Sequence, residues 1–102
     1  MTPRYVLAPQ AAQDLAEIWR HIGNQSSLQM ANHVESVIRQ QIEFLSHNPG
    51  VGHRRRDLTS ADVRFFPVYS YLVVYRSGTK PLQIVTILHG RRDLETILTN
   101  RL

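Results

Sequence analysis

Apolar positions change their spacing several times along the chain, and each change marks an element. Tyr5-Val6-Leu7 is a short apolar run and predicts a strand. From Pro9 onward Ala12, Leu15, Ala16, Trp19 and Ile22 recur at helical spacing, with Asp14, Glu17 and Arg20 off that face. Proline suits the first helical turn, where its missing N–H is no loss. Asp14 and Glu17 come early in the helix, where negative charge is favoured. Gly23-Asn24-Gln25-Ser26-Ser27 breaks the pattern. A second helix follows with Ala31, Val34, Ile38, Gln41/Ile42 and Leu45 on one stripe, and Asn48-Pro49-Gly50 stops it. The first half thus predicts a strand and a helical hairpin running from Pro9 to His47.

The segment from Val51 to Asp62 has few apolar residues, contains Gly52-His53-Arg54-Arg55-Arg56, and predicts an exposed basic loop. Strand patterns return at Val63 to Val68, Tyr71 to Arg76 and Leu82 to Leu88, the last two joined hairpin-fashion across Ser77-Gly78-Thr79-Lys80-Pro81. Leu72-Val73-Val74-Tyr75 and Ile84-Val85-Thr86-Ile87-Leu88 are nearly continuous apolar runs, as expected of strands covered on both faces. The expected covers are the helical hairpin on one face and a C-terminal helix or a partner on the other. Asp93 is placed to cap that helix, with Leu94, Ile97 and Leu98 as its apolar stripe. The expected core is Leu15, Trp19, Ile22, Val34, Ile38, Leu45, Val73 and Ile87.

At 102 residues the chain reads as one domain, residues 1–102, with a modest core. Twelve Lys+Arg against eight Asp+Glu give a formal net charge of +4, and only Lys80 among the basic residues is a lysine. Arginine's planar fork of donors suits carboxylate and phosphate partners. The absence of cysteine excludes disulfide, thiolate-metal and cysteine-nucleophile chemistry. The opening Met1-Thr2-Pro3-Arg4-Tyr5 lacks the apolar core of a signal peptide, and no apolar run approaches membrane-spanning length. A cytoplasmic protein without a membrane segment is expected.

Cationic chemistry concentrates at Ile87-Leu88-His89-Gly90-Arg91-Arg92-Asp93, where an apolar strand ends in a histidine, a glycine and two arginines. Arg91 and Arg92 either meet a partner or pair with Asp93 or Glu95. His89, a further binding candidate, could act as general acid or base or hydrogen-bond backbone at the strand end, and the structural role is favoured because no nucleophile or carboxylate is evident beside it. Arg64, Arg76 and the run Arg54-Arg55-Arg56 complete the set of candidate binding residues, although short basic runs in loops are usually solvated. No catalytic residue is assigned, no cofactor is implied, and His21, His33, His47 and His53 show no metal spacing.

The element order, α+β with an N-terminal strand, a helical hairpin, a three-stranded antiparallel sheet and a short C-terminal helix, resembles the ParE/RelE superfamily of toxins from bacterial toxin–antitoxin modules. The likeness is carried by Tyr5-Val6-Leu7-Ala8-Pro9 with Ala12, Asp14-Leu15 and Ile18. It continues through Leu45 with Asn48-Pro49-Gly50-Val51-Gly52, then Val63-Arg64, Tyr71-Leu72-Val73-Val74-Tyr75-Arg76 and the closing run through Asp93. Ala8 departs from the family pattern, which often has a capping Ser or Thr there, a loss of about 1 kcal/mol.

The resemblance implies a type II toxin of a plasmid-stabilisation module, neutralised by a cognate antitoxin. RelE-like members cleave mRNA in the ribosome; ParE-like members poison DNA gyrase. Of four charged positions that a ribonuclease-type member would use, Arg64 and Arg92 match, while Phe66 and Leu72 are apolar. A leucine offers nothing to charge developing on phosphate. The resemblance therefore implies the gyrase-poisoning branch, with the ribosome-dependent ribonuclease and an inactive antitoxin-binding member as alternatives.

Overall fold

Seven elements follow in the expected order in the computed structural model, which describes residues 3–102. They are β1 (Tyr5–Leu7), α1 (Pro9–Gln25), α2 (Leu28–His47), β2 (Arg64–Val68), β3 (Tyr71–Arg76), β4 (Leu82–His89) and α3 (Leu94–Arg101). Met1 and Thr2, which open the run read for a signal peptide, lie outside the described residues. Among the described residues no helix is long and apolar enough to cross a membrane.

The strands form one sheet in the order β1-β4-β3-β2. β2, β3 and β4 make the antiparallel meander, and β1 joins β4 in parallel, with Tyr5 opposite Leu82 and Leu7 opposite Ile84. A bulge interrupts the β3–β4 ladder. Val74 faces Thr86 but Tyr75 faces Ile84, so Val85 is the extra residue. The bulge changes which side chains share a face. Ile84 and Ile87 lie on the hairpin side with Val68, Val73 and Tyr75, whereas Val85 and Leu88 lie on the opposite side with Phe65 and Val74. That two-sided burial explains the continuous apolar run in β4.

The larger core layer is built by α1 and α2 through Ala11, Leu15, Val34, Ile38, Ile42 and Leu45. The smaller is covered by α3 through Leu94 and Leu98, with Val63 from the loop. Ser27 caps α2 by accepting the Met30 N–H (3.0 Å), and Asp93 caps α3 by accepting from Thr96 N (3.4 Å). Ala8 makes no side-chain cap; its own N–H donates to Ile84 O (2.9 Å), which carries the β1 pairing into the helix start.

Three local expectations need correction. The first helix runs through Gly23 to Gln25, so the turn shrinks to Ser26 and Ser27; a single helical glycine costs only about 1 kcal/mol, which hairpin packing offsets. Trp19 and Ile22 are half-buried rather than core, and Trp19 Nε1 donates to Asn32 Oδ1 across the hairpin (2.8 Å). The apolar face of α1 is also rotated from the expected stripe, since Ala12 is exposed while Asp14 is buried.

Asp14 is buried because it closes an open sheet edge. β1 accompanies β4 only as far as Ile84, which leaves the Ile87 N–H without a strand partner on that side. Asp14 Oδ2 accepts that N–H (3.0 Å) and the Thr86 hydroxyl. Gln10 Nε2 donates to Asp14 Oδ1 (2.9 Å). From the other side of the sheet Arg101 Nη1 donates to Asp14 Oδ1 (3.1 Å) and to Thr86 Oγ1 (2.8 Å). One carboxylate thus joins α1, β4 and α3.

Candidate functional site

The antiparallel ladder divides the cationic residues between two ends of the sheet. Tyr71 pairs with His89 at one end, whereas Arg76 pairs with Gln83 and Arg64 with Tyr75 at the other. Five residue steps along β3 separate the ends by about 17 Å. The eight candidates therefore do not form one site.

At the Arg64 end the side chains hold the loop in place. Arg64 donates to Gly52 O (2.9 Å), with longer bonds to Gly50 O and to Ser77 Oγ. The buried Tyr75 hydroxyl accepts the Gly52 N–H (2.9 Å) and donates to Pro49 O (2.8 Å). Burial pushes the Tyr75 phenol above its ordinary pKa, against a smaller lowering by the Gly52 N–H and by Arg64. Gly52 is required at this contact, since a Cβ there would meet Tyr75 Cε1 at 2.8 Å. His53 bridges Phe65 backbone to backbone and covers the outer edge of β2. The three loop arginines each find a local acceptor: Arg54 pairs with Asp62, Arg55 with Asp57 (2.8 Å), and Arg56 donates to Ser60 O (3.3 Å). Those bonds hold the Asp57 and Asp62 carboxyls below the usual range. Arg64 and Arg54–Arg56, candidate binding residues of which the loop run was read as more usually solvated, each bond within the fold, and the loop is a tied cover. Arg76 sits half-buried at the same end, remote from His89.

The other end is open. His89, Gly90, Arg91 and Arg92 make a tight turn in which Gly90 N–H donates to Ser70 O (2.8 Å) and Arg92 N–H to His89 O (3.1 Å). A Cβ on Gly90 would press to 3.3 Å from Ser70 O, so the residue permits the close approach of the two hairpin ends. His89 Nδ1 accepts the Arg91 N–H (3.2 Å), which leaves Nε2 as the outward nitrogen. Its ring meets Tyr71 edge to face at 5.5 Å. Burial raises the Tyr71 phenol, so it remains a hydrogen-bond donor at neutral pH. Arg91 and Arg92 are exposed, and among the described residues no ion pair engages either; the expected alternative of a bridge to Asp93 or Glu95 is not formed.

Beside this turn a groove of about 250 Å³ runs between α1 and the sheet, lined by Glu17, Ile18 and His21 on one side and Tyr71, His89 and Arg92 on the other. Glu17 and His21 are brought to His89 only by the packing of α1 across β4, and Tyr71 by the β3–β4 register, so none of the three stood out as a site residue in the sequence. Tyr69, at the β2–β3 turn beside Ser70, is 59% exposed and adopts φ 55°. The arrangement offers a shallow amphipathic groove with hydrogen-bond donors and fixed positive charge at its mouth. Among the described residues no group of His, Asp and Glu is arranged to hold a metal ion.

The four positions of the ribonuclease comparison do not converge. Arg64 and Phe66 lie on the hairpin side, where Phe66 packs against Phe44 (ring centroids 6.1 Å apart). Leu72 packs on the opposite side in the α3 layer, and Arg92 follows β4 at the far end.

Residues 5–94 match the model of a family described as the ParE toxin of the type II toxin–antitoxin system parDE. The toxin ParE1 of Mycobacterium tuberculosis, in two strains, is 28% identical over 96 residues, covering 93% of this chain and 97% of that protein. A solved chain from the chromosomal ParDE system of P. aeruginosa superposes with a TM-score of 0.70 at 22% identity, covering 83% of this chain and 92% of that one.

Proposed function

The chain belongs to the ParE toxin family of type II toxin–antitoxin systems, and from that premise we propose that it arrests growth by inhibiting DNA gyrase and is neutralised by a cognate antitoxin. The non-convergence of Arg64, Phe66, Leu72 and Arg92 carries the choice of target. Cleaving RNA needs cationic and acid–base groups gathered within hydrogen-bond reach of one phosphate. In this fold two of those positions are apolar and lie on opposite faces of the sheet, while Arg64 serves the loop. A binding toxin needs no such gathering.

The antitoxin follows from the chemistry of the open end. A groove lined by Ile18, Tyr71 and Ile87 accepts an apolar side chain, and Arg91 and Arg92 accept carboxylates. A segment that folds on binding supplies both. Its affinity falls only in part as salt rises, because the apolar share is unscreened.

The test is expression of the toxin alone, with purified protein assayed in parallel on gyrase supercoiling and on ribosome-bound mRNA. Loss of supercoiling with intact mRNA is expected. Cleaved mRNA with normal supercoiling refutes the target. A coexpressed antitoxin from the neighbouring reading frame is expected to restore growth and to copurify.

A further inference from the structure

Tyr69 is the least economical residue in the fold. It exposes an aromatic ring, and it does so in the left-handed backbone region that a residue with a Cβ rarely adopts. The positive φ belongs to the two-residue hairpin turn Tyr69-Ser70 between the paired Val68 and Tyr71, where Gly or Asn is the usual residue, so an aromatic ring there departs from ordinary turn chemistry. The surroundings here are specific. Ser70, next in the chain, accepts the Gly90 N–H at 2.8 Å, so the Tyr69 turn and the His89–Arg92 turn are fastened together. The same short rim therefore presents an exposed phenol ring, two arginines engaged in no ion pair, and the His89–Tyr71 pair beside the groove.

We propose that this rim binds single-stranded nucleic acid, with successive phosphates on Arg91 and Arg92 and a base stacked on Tyr69. Aromatic faces combined with arginine are the recurrent means of holding an unpaired strand, because every base has a π-face and every step has a phosphate. A duplex buries its base faces and has none to offer Tyr69. An acidic peptide matches the arginines through its carboxylates but lacks a phosphate and a base face at every step. The proposal stands apart from the gyrase reading, because it is tested on the toxin alone; either can fail without the other.

The measurement is fluorescence anisotropy of a labelled eight-nucleotide oligothymidine and a matching oligouridine, titrated with purified toxin from 25 to 200 mM salt. An affinity on the order of 10⁻⁵ M at low salt is expected, with a slope of log K on log salt of about −1.4 for two phosphates. Arg91→Ala or Arg92→Ala should each weaken binding and remove about half that slope. Tyr69→Gly relieves the backbone, so the variant should unfold at no lower temperature than the parent. It should nonetheless bind roughly tenfold or more weakly with an unchanged slope. Tyr69→Trp should retain binding. Preference for the thymidine strand identifies DNA as the source and preference for uridine identifies RNA; equal binding supports recognition of backbone and base face alone. The proposal is overturned if neither strand binds at 25 mM salt, if duplex DNA binds as well, if Tyr69→Gly binds normally, or if Arg54→Ala weakens binding as much as Arg91→Ala. Binding of an acidic peptide alone also overturns it.

Discussion

Replacing Asp14 with alanine removes the acceptor for four donors at once: Gln10 Nε2, the Thr86 hydroxyl, the Ile87 N–H and Arg101 Nη1. Thr86 and Arg101 still hold each other, so their loss is partial. Ile87 N–H has no alternative, since β1 ends at Leu7, opposite Ile84. A buried donor left unsatisfied costs about 1–3 kcal/mol. The Arg101 charge, 22% exposed, loses its counter-charge, and breaking a buried pair from one side costs about 3–5 kcal/mol, less where solvent reaches the guanidinium. A total of about 3–4 kcal/mol is expected. Against the 5–15 kcal/mol of an ordinary domain this is a large fraction.

Urea unfolding followed by circular dichroism measures the effect. With a slope of about 2 kcal/mol per molar, the midpoint should fall by roughly 1.5–2 M without a change of slope. Arg101→Ala alone should cost less, about 1–2 kcal/mol, because Asp14 keeps three donors. In the double variant the two losses should be less than additive by about 1 kcal/mol or more, as for residues that share one network. A midpoint shift below about 0.3 M for Asp14→Ala, or strict additivity with Arg101→Ala, would refute the reasoning that this carboxylate joins the layers.

Gly52→Ala should destabilise by about 2–3 kcal/mol, since the added Cβ meets the Tyr75 ring at 2.8 Å; thermal unfolding measures it. Tyr75→Phe should cost about 2 kcal/mol by orphaning Gly52 N–H and Pro49 O, with faster hydrogen exchange at Gly52 as the local readout. The folded pKa of Tyr75 is raised above its ordinary value of 10.0, so the neutral phenol stabilises the fold below that pH. This stability is lost as pH climbs through the folded value, and Tyr75→Phe should flatten the alkaline limb of a stability–pH curve. Replacing Arg91 and Arg92 together by alanine should weaken toxicity in a growth assay, and His89→Gln should be milder. Abolition of toxicity by a folded His89→Gln variant would instead indicate acid–base chemistry.

The elements were legible because their apolar spacing is regular. The stripe Ala31, Val34, Ile38, Leu45 has the spacing of a helix face, and the β4 run is typical of a strand covered on both sides. The end of each element was clear where a side chain does the capping, as at Asp93, and blurred where packing decides, as at Gly23. What the spacing concealed was the Val85 bulge. A strict alternation from Leu82 puts Ile84, Thr86 and Leu88 on one face, whereas the fold puts Ile84 on the hairpin side and Leu88 on the α3 side. The shift is set by pairing with β3 and has no signature in β4 itself.

The same limit explains the candidate site. Charge marked every arginine equally, yet an arginine already bonded within the fold has fewer of its five N–H donors to offer a partner. For Arg54, Arg55 and Arg56 the acceptors lie a few residues away, at Asp62, Asp57 and Ser60 O. For Arg64 they are backbone carbonyls twelve to fourteen residues upstream. Asp14 shows the converse: an acidic residue on the polar side of a helical pattern becomes the most heavily bonded carboxylate in the fold, through partners 72 to 87 residues distant. Arg91 and Arg92 remain open because the Gly90 turn carries them past the end of the sheet, and the bonds that Ser70 and His89 accept there come from backbone N–H groups rather than the guanidinium forks. The turn that Gly90 permits is therefore what leaves this end of the sheet able to meet a partner while the other end is closed on itself.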